Sequence, residues 1–267
     1  MSKKRIDLLL VARGLVETRA LAQRLVMAGQ VRVNGEVARK PSDNVLETAH
    51  LEVESGPPFV SRGGEKLAGA LAAFPVQVAG KVCADVGAST GGFTDCLLQN
   101  GAAKVYTIDV GYGILHWKLR NDPRVVVMEQ TNARHVTRLP EPVTLVTVDA
   151  SFISLKILLP VIKGWFTSPP APPSQSGEGE IITLIKPQFE AGKKEAARGE
   201  GVIRDPAVHR AVLAEVLTFA QAEGLGVRGL IRSPLEGPKG NVEFLAWLAW
   251  RGETRNDLDV LVNQVVG

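Results

Sequence analysis

The chain has 267 residues, 45% of them hydrophobic, and a net charge of +3. That length allows one or two domains with a sizeable core, and no apolar run approaches the roughly 20 residues a membrane-spanning helix needs. Two cysteines and four scattered histidines exclude a disulfide framework and a zinc cluster, so no metal is expected, and the basic start is followed by an apolar stretch broken by Asp7 and Arg13, which excludes a signal peptide and points to the cytoplasm.

Residues 6–13 read as a short helix ended by Gly14. Thr18 caps a second helix, closed by Gly29, in which Leu21, Ala22, Leu25 and Val26 recur at helical spacing. Val31 to Val37 alternate around Asn34-Gly35, the strongest short hairpin signal. A strand from His50 to Glu54 closes this unit. Residues 1–40 hold nine Lys/Arg against three acids, a distribution that fits a polyanionic partner or a solvated surface. Residues 56–60 form a linker stiffened by Pro57 and Pro58, dividing the chain into 1–55 and 61–267.

The larger part is organised around DVGASTGGFTD, Asp85 to Asp95. An apolar run, Lys81 to Ala84, enters it, and a helix-capable segment, Gly91 to Asn100, leaves it. Strand, glycine-rich turn and helix begin an α/β nucleotide-binding unit. Gly87 permits a sharp turn, and Gly91 and Gly92 let backbone approach a ligand. Asp85, Ala88, Ser89, Phe93 and Thr94 complete the candidate cofactor contacts of this turn. Asp109 ends the second run, Lys104 to Ile108, where an acid takes the hydroxyls of an adenosine ribose; Val110 and Gly111 follow it. Ser89 stands where a dinucleotide fingerprint has its second glycine, which favours S-adenosylmethionine over NAD.

A helix after Ser61 precedes this core. A third run, Arg124 to Met128, leads to Asn132 and Ala133, placed to reach the adenine. Leu145 to Val148 is a buried fourth strand ending in Asp149, followed by a helix from Leu155 to Trp165. The Pro/Ser/Gly-rich stretch 168–177 reads as an exposed loop and 193–201 as a polar flap. Ile181 to Ile185 is a fifth buried strand, with Lys186 at its end and Pro187 stopping the pairing. A helix over 206–224, strands over 227–232 and 242–250, and a final helix within 255–266 complete the chain. Asp149 and Lys186, at the ends of apolar strands, form a candidate charge pair beside the cofactor.

Two resemblances follow. The run from Arg5 to Ser42, with T-R-x-x-A-x-x-L and V-x-V-N-G, resembles the S-four RNA-binding module of a ribosomal small-subunit protein. It implies phosphate contacts by Arg5, Arg19, Arg24, Arg32 and Lys40. Residues 61–250 resemble the FtsJ-type ribose 2′-O-methyltransferases, and the whole chain is similar to the TlyA family through VSRGGEKL, DVGASTGGFTD, TNAR, VDASFISL, IKPQFE and GNVEFLAWL. The fold implied is a Rossmann-like S-adenosylmethionine-dependent methyltransferase sheet with a small N-terminal α+β module. The implied catalytic tetrad is Lys66, Asp149, Lys186 and Glu243. Lys186 is the expected acceptor of the ribose 2′-OH proton, with Asp149 and Glu243 balancing the lysines. Arg62 and Arg134 are further RNA contacts, and Phe152 is either a platform for a flipped base or a core aromatic. The resemblance implies methylation of a cytidine ribose in ribosomal RNA, within the large subunit and in many members the small one. A membrane-active haemolysin and a noncatalytic RNA-binding protein are the competing classes.

Overall fold

The computed structural model describes residues 2–54, 56–166, 179–192, 200–253 and 257–266. The stretch 168–177 and most of 193–201, read above as a loop and a flap, lie outside the described residues. The chain divides into two compact units, Met1–Pro58 and Phe59–Gly267. Val60 at the head of the second unit donates its N–H to Asp95 Oδ2 at 2.9 Å.

The first unit packs helices α1 (Ile6–Ala12) and α2 (Arg19–Met27) on a three-stranded antiparallel sheet, β2 (Val31–Val33), β3 (Glu36–Val37) and β5 (Leu51–Val53), in the order β3-β2-β5. Thr18 caps α2 by accepting the Leu21 N–H at 3.2 Å. Asn34 and Gly35 both take left-handed φ, 51° and 86°, as the tight hairpin requires. Ile6, Leu10, Ala22, Val26 and Val31 form its core. A second ribbon, β1 (Lys3–Arg5) with β4 (Asn44–Leu46), was not readable from sequence. Three residues give no period, and KKR carries no apolar alternation.

The second unit is a seven-stranded sheet. Its strands are β6 (Val82–Val86), β7 (Lys104–Ile108), β8 (Val125–Met128), β9 (Leu145–Val148), β10 (Glu180–Ile185), β11 (Leu225–Arg232) and β12 (Phe244–Trp250), ordered β11-β12-β10-β9-β6-β7-β8. Only β12 runs against its neighbours. Strands β9 and β10 are apolar almost throughout because both of their faces are covered. On one face α3 (Gly63–Ala73) and α4 (Gly92–Gln99) pack over Cys83, Val105 and Leu145. On the other, α6 (Leu155–Ile162), α8 (Pro206–Ala222) and α9 (Leu258–Val266) pack over Ala84, Val86, Val146 and Val148. Short helices α5 (Trp117–Arg120) and α7 (Pro187–Glu190) lie in the connections. Pro187 does more than end β10: it opens α7 at the first helical position, where its missing N–H has no partner to lose. Cys83 and Cys96 are buried free thiols, pushed up to about 12 by burial.

The chain leaves β6 for β7 and β8 on one side and then returns to β9 on the other. This reversal opens a crevice at the carboxyl ends of β6 and β9, the usual ligand position in such sheets.

Candidate active site

Gly87 turns the chain at the end of β6 with φ +79°, and a Cβ there would fall 2.7 Å from the Asp149 carbonyl oxygen. The two strand ends thus meet backbone to backbone at the crevice. Two cavities open from this point and share Gly87, Ser89 and Asp149.

The first, about 300 Å³, has apolar walls from Ile108, Val110, Ala133 and Leu158, with Asp109, Thr131, Asn132 and Ser151 among its polar members. Asp109 Oδ2 accepts the Ser89 N–H at 2.8 Å and Oδ1 accepts the Gly111 N–H at 2.7 Å. Each oxygen keeps a further lone pair for a ligand hydroxyl. An apolar slot with an acid at its side fits an adenosine. Ser89 holds φ +50°, a left-handed conformation uncommon outside glycine. Its bond to Asp109 secures there what a dinucleotide fingerprint gives to glycine.

The second cavity, about 280 Å³, is lined by Ser61, Arg62, Lys66, Thr90, Phe93 and Glu236, with Ala88 and Gly92 on the turn side. Arg62 donates to the Glu236 carbonyl at 2.8 Å.

Four charged groups stand at this edge as two pairs. Lys186 Nζ lies 2.6 Å from Asp149 Oδ1. Lys66 Nζ lies 2.6 Å from Glu243 Oε2, although 177 residues separate them in sequence. Glu243 precedes β12 rather than lying within it, is buried, and accepts from Gln188 Nε2 at 3.2 Å on its other oxygen. Lys66 and Asp149 line the cavities, and their partners stand behind them. Gln188 Oε1 is buried with no hydrogen-bond partner. Sequence reasoning missed Gln188 and Ser151, both inside motifs that it quoted, because a polar residue within a motif has no period to reveal its direction.

Several expected cofactor contacts face elsewhere. Asp85 is fully buried and accepts from Thr94 Oγ1 at 2.7 Å and Thr147 Oγ1 at 3.1 Å. Strand alternation puts it on the α4 side with Cys83, beneath the cavities. Burial pushes its carboxyl up to about 7, against the opposing effect of the two hydroxyl donors. Thr94 is spent on this bond. Gly91 does not admit a ligand, since a Cβ there would lie 2.2 Å from Leu119 Cδ1; a Cβ on Gly92 would lie 2.3 Å from Ser61 Oγ. Gly91 thus serves packing of the chain against itself, whereas Gly92 abuts Ser61 and lines the second cavity with it. Gly111 meets Asp109 through its N–H and lines neither cavity.

In the first unit, Arg5 and Arg19 both pair with the buried Asp7, at 2.9 Å and 3.0 Å. Their guanidinium groups hold that carboxyl well below the usual range, Arg5 foremost. Arg32 pairs with Glu54. Arg24 and Lys40 are exposed, and among the described residues their side chains form no ion pair with an acid. In the second unit, Arg134 is exposed beside His135. Phe152 is no core aromatic: it is 90% exposed, at φ +63°, with its ring 4.8 Å from that of Phe189.

A mostly parallel sheet of this order, with a ligand crevice at its reversal point, marks a nucleotide-binding α/β enzyme. The model for FtsJ-like methyltransferases matches residues 59–250, and that for the S4 domain matches residues 4–51. The chain belongs to the FtsJ-like methyltransferase family and carries an N-terminal S4 domain. It is 48% identical over 252 residues to the 16S/23S rRNA (cytidine-2'-O)-methyltransferase TlyA of Mycobacterium tuberculosis, covering 92% of this chain and 90% of that protein. It is 47% identical over 258 residues to YqxC of Bacillus subtilis, provisionally named an rRNA methyltransferase, covering 94% and 87%. A solved structure from Streptococcus thermophilus, with a provisional hemolysin name, matches with a TM-score of 0.71 at 41% identity, covering 99% of this chain and 96% of that one. Fold and family imply S-adenosylmethionine as the methyl source, and the S4 domain implies an RNA substrate. No described helix is long and apolar enough to cross a membrane.

Proposed function

We propose that this protein transfers a methyl group from S-adenosylmethionine to the ribose 2′-oxygen of a cytidine in ribosomal RNA, within ribosomal subunits in the cytoplasm. The observation that carries the reading is the Lys186–Asp149 pair, whose Asp149 lines the apolar cavity that also holds Asp109. The names of the relatives supply the nucleotide and the RNA. Residues 61–267 perform the chemistry, and residues 1–55 hold the RNA.

When bound, S-adenosylmethionine supplies an electrophilic methyl group on a positively charged sulfur. Asp109 takes the ribose hydroxyls of the cofactor. Ile108, Val110, Ala133 and Leu158 wall the adenine from water, with Asn132 at its edge. Lys186 Nζ takes the proton that the substrate 2′-hydroxyl loses. Asp149 holds that nitrogen, while Glu243 holds Lys66 against the second cavity. Holding the hydroxyl in line is itself worth several kcal/mol of barrier. Phe152, exposed against the Phe189 ring, offers a face on which an unstacked base can lie. Arg24 and Lys40, free of carboxylate partners among the described residues, are the readiest phosphate contacts; Arg5, Arg19 and Arg32 reach RNA only while also holding their own acids. Arg62 and Arg134 extend the basic surface in the second unit.

Incubating purified ribosomal subunits with the protein and methyl-labelled cofactor tests the reading, with ribose methylation mapped in cells with and without the gene. Label at a cytidine 2′-oxygen that vanishes with the gene is expected. RNA binding without transfer would instead make the chain a noncatalytic binder.

A further inference from the structure

Lys186 is held by more than its acid. Its nitrogen lies 2.6 Å from Asp149 Oδ1, 2.9 Å from Ser151 Oγ and 3.4 Å from the Asp149 backbone carbonyl. A lysine nitrogen has three N–H directions when charged, and two with a lone pair when neutral. The two short contacts fix two directions in either form. The third is filled only by the longest contact, the one a substrate oxygen would replace. With Asp149 alone the nitrogen could turn about a single bond to Oδ1; the second acceptor removes that freedom.

We infer that Ser151 is a positioning residue, whose hydroxyl fixes Lys186 so that its remaining valence meets the ribose 2′-oxygen. This rests on the role given to Lys186 above.

The turn that carries Ser151 is secured on both sides. Asp149 is pressed against Gly87, as the 2.7 Å approach to a Cβ there shows. At the far end, Glu190 accepts from Ser154 Oγ at 2.6 Å and from the Leu155 N–H at 2.8 Å. Glu190 ends α7, four residues beyond Lys186. The segments carrying Ser151 and Lys186 are therefore joined on the near side by the parallel pairing of β9 with β10, up to Val148 against Thr183, and on the far side by Glu190. Between these joins Phe152 takes a left-handed conformation that aromatic residues rarely adopt. Such strain persists only where the surroundings over-determine it, and here it lies between the Lys186–Ser151 contact and the Glu190 contacts. Ser151 is itself exposed, so its replacement leaves the core untouched.

The test is single-turnover methylation of ribosomal subunits by the full-length protein, with cofactor and RNA affinities measured in parallel. Ser151→Ala should slow transfer about 10- to 100-fold, the effect of losing one hydrogen bond to a charged group, with both affinities unchanged. Ser151→Thr, which keeps the hydroxyl, should recover most of the rate. An undiminished rate in Ser151→Ala, a Thr variant as slow as the Ala variant, or a loss of affinity in step with the rate would each overturn the inference. The outcomes stay separable: a wild type that methylates no subunit sinks the methyltransferase reading, whereas an active wild type matched by Ser151→Ala sinks only the role of Ser151.

Discussion

Of four acids near the carboxyl edge of the large sheet, Asp149 and Glu243 each hold a lysine at 2.6 Å. Asp85 and Asp109 are served instead by uncharged donors, two hydroxyls for the first and two backbone N–H groups for the second. The difference separates tasks. An acid with a lysine poses a group that can handle a proton. An acid fed by backbone N–H groups keeps lone pairs for a ligand. An acid fed by uncharged donors in full burial has too little to offset desolvation, so its protonated form prevails up to about neutral pH. Even the two lysine pairs are unlike, because the Asp149 side chain is 22% exposed and that of Glu243 is 0%.

Breaking the open pair should have the largest effect on turnover. Lys186→Ala should lower single-turnover methylation by about 10²–10⁴-fold, the usual worth of a general base, with cofactor and RNA affinities retained. Lys186→Arg should not rescue it, since a guanidinium does not lose its proton at working pH. Near-normal turnover in Lys186→Arg would make the residue a fixed charge and move the proton acceptor to Asp149 or solvent.

The closed pair should fail through stability. Lys66→Met leaves the Glu243 carboxylate buried with only Gln188 beside it, at a cost of about 3–5 kcal/mol. Replacing both partners, Lys66→Met with Glu243→Met, should recover much of that stability without restoring methylation. Urea unfolding set beside single-turnover rates reads both. If the double variant regains activity along with stability, the pair is scaffold alone.

The two pairs were unequally legible. Asp149 and Lys186 announce themselves as charges that end apolar runs, and parallel strands place such residues together. Nothing local ties Lys66 on α3 to Glu243 before β12; resemblance alone linked them. The direction of Asp85 was illegible for another reason. Strand alternation fixes that Asp85 shares a face with Cys83, but not which face the cavities adjoin. The glycine cluster shows the same limit. Gly91 and Gly92 read as room for a ligand, and Gly92 does line a cavity, yet Gly91 admits Leu119, from a segment that sequence spacing cannot place.

Asp109 tests the acid fed by backbone N–H groups. Wild-type protein should bind S-adenosylmethionine about 10- to 100-fold more tightly than an analogue lacking the cofactor's ribose hydroxyls. Asp109→Ala should weaken binding and erase that discrimination. The comparison with the analogue matters because the substitution also strips Ser89 and Gly111 of their acceptor, so weaker binding alone would not isolate the ribose. A variant that still discriminates as the wild type does would remove Asp109 from the ribose site.

Asp85→Asn should have the smallest effect on turnover and a distinct effect on stability. Burial raises the folded-state pKa of Asp85 to about 7, above the roughly 3.9 of an unfolded aspartate. The folded chain then binds a proton that the unfolded chain has released. Its contribution to stability is therefore greatest below about pH 4, falls as pH rises towards 7, and is constant above. Asp7, Asp122 and Glu129 are lowered instead and act with the opposite sign, losing stability as pH falls. The quantity to follow is thus the difference between variant and wild type. Asparagine keeps one acceptor for a threonine hydroxyl, and the other hydroxyl can turn to accept from the new amide. Asp85→Asn should therefore fold, methylate at near the wild-type rate, and gain on the wild type in urea midpoint as pH rises from 4 to 7. If cofactor affinity drops while the pH dependence of stability stays as it was, Asp85 meets the ligand as its place in the glycine-rich motif first indicated, and its burial beneath the cavity is not what sets its role.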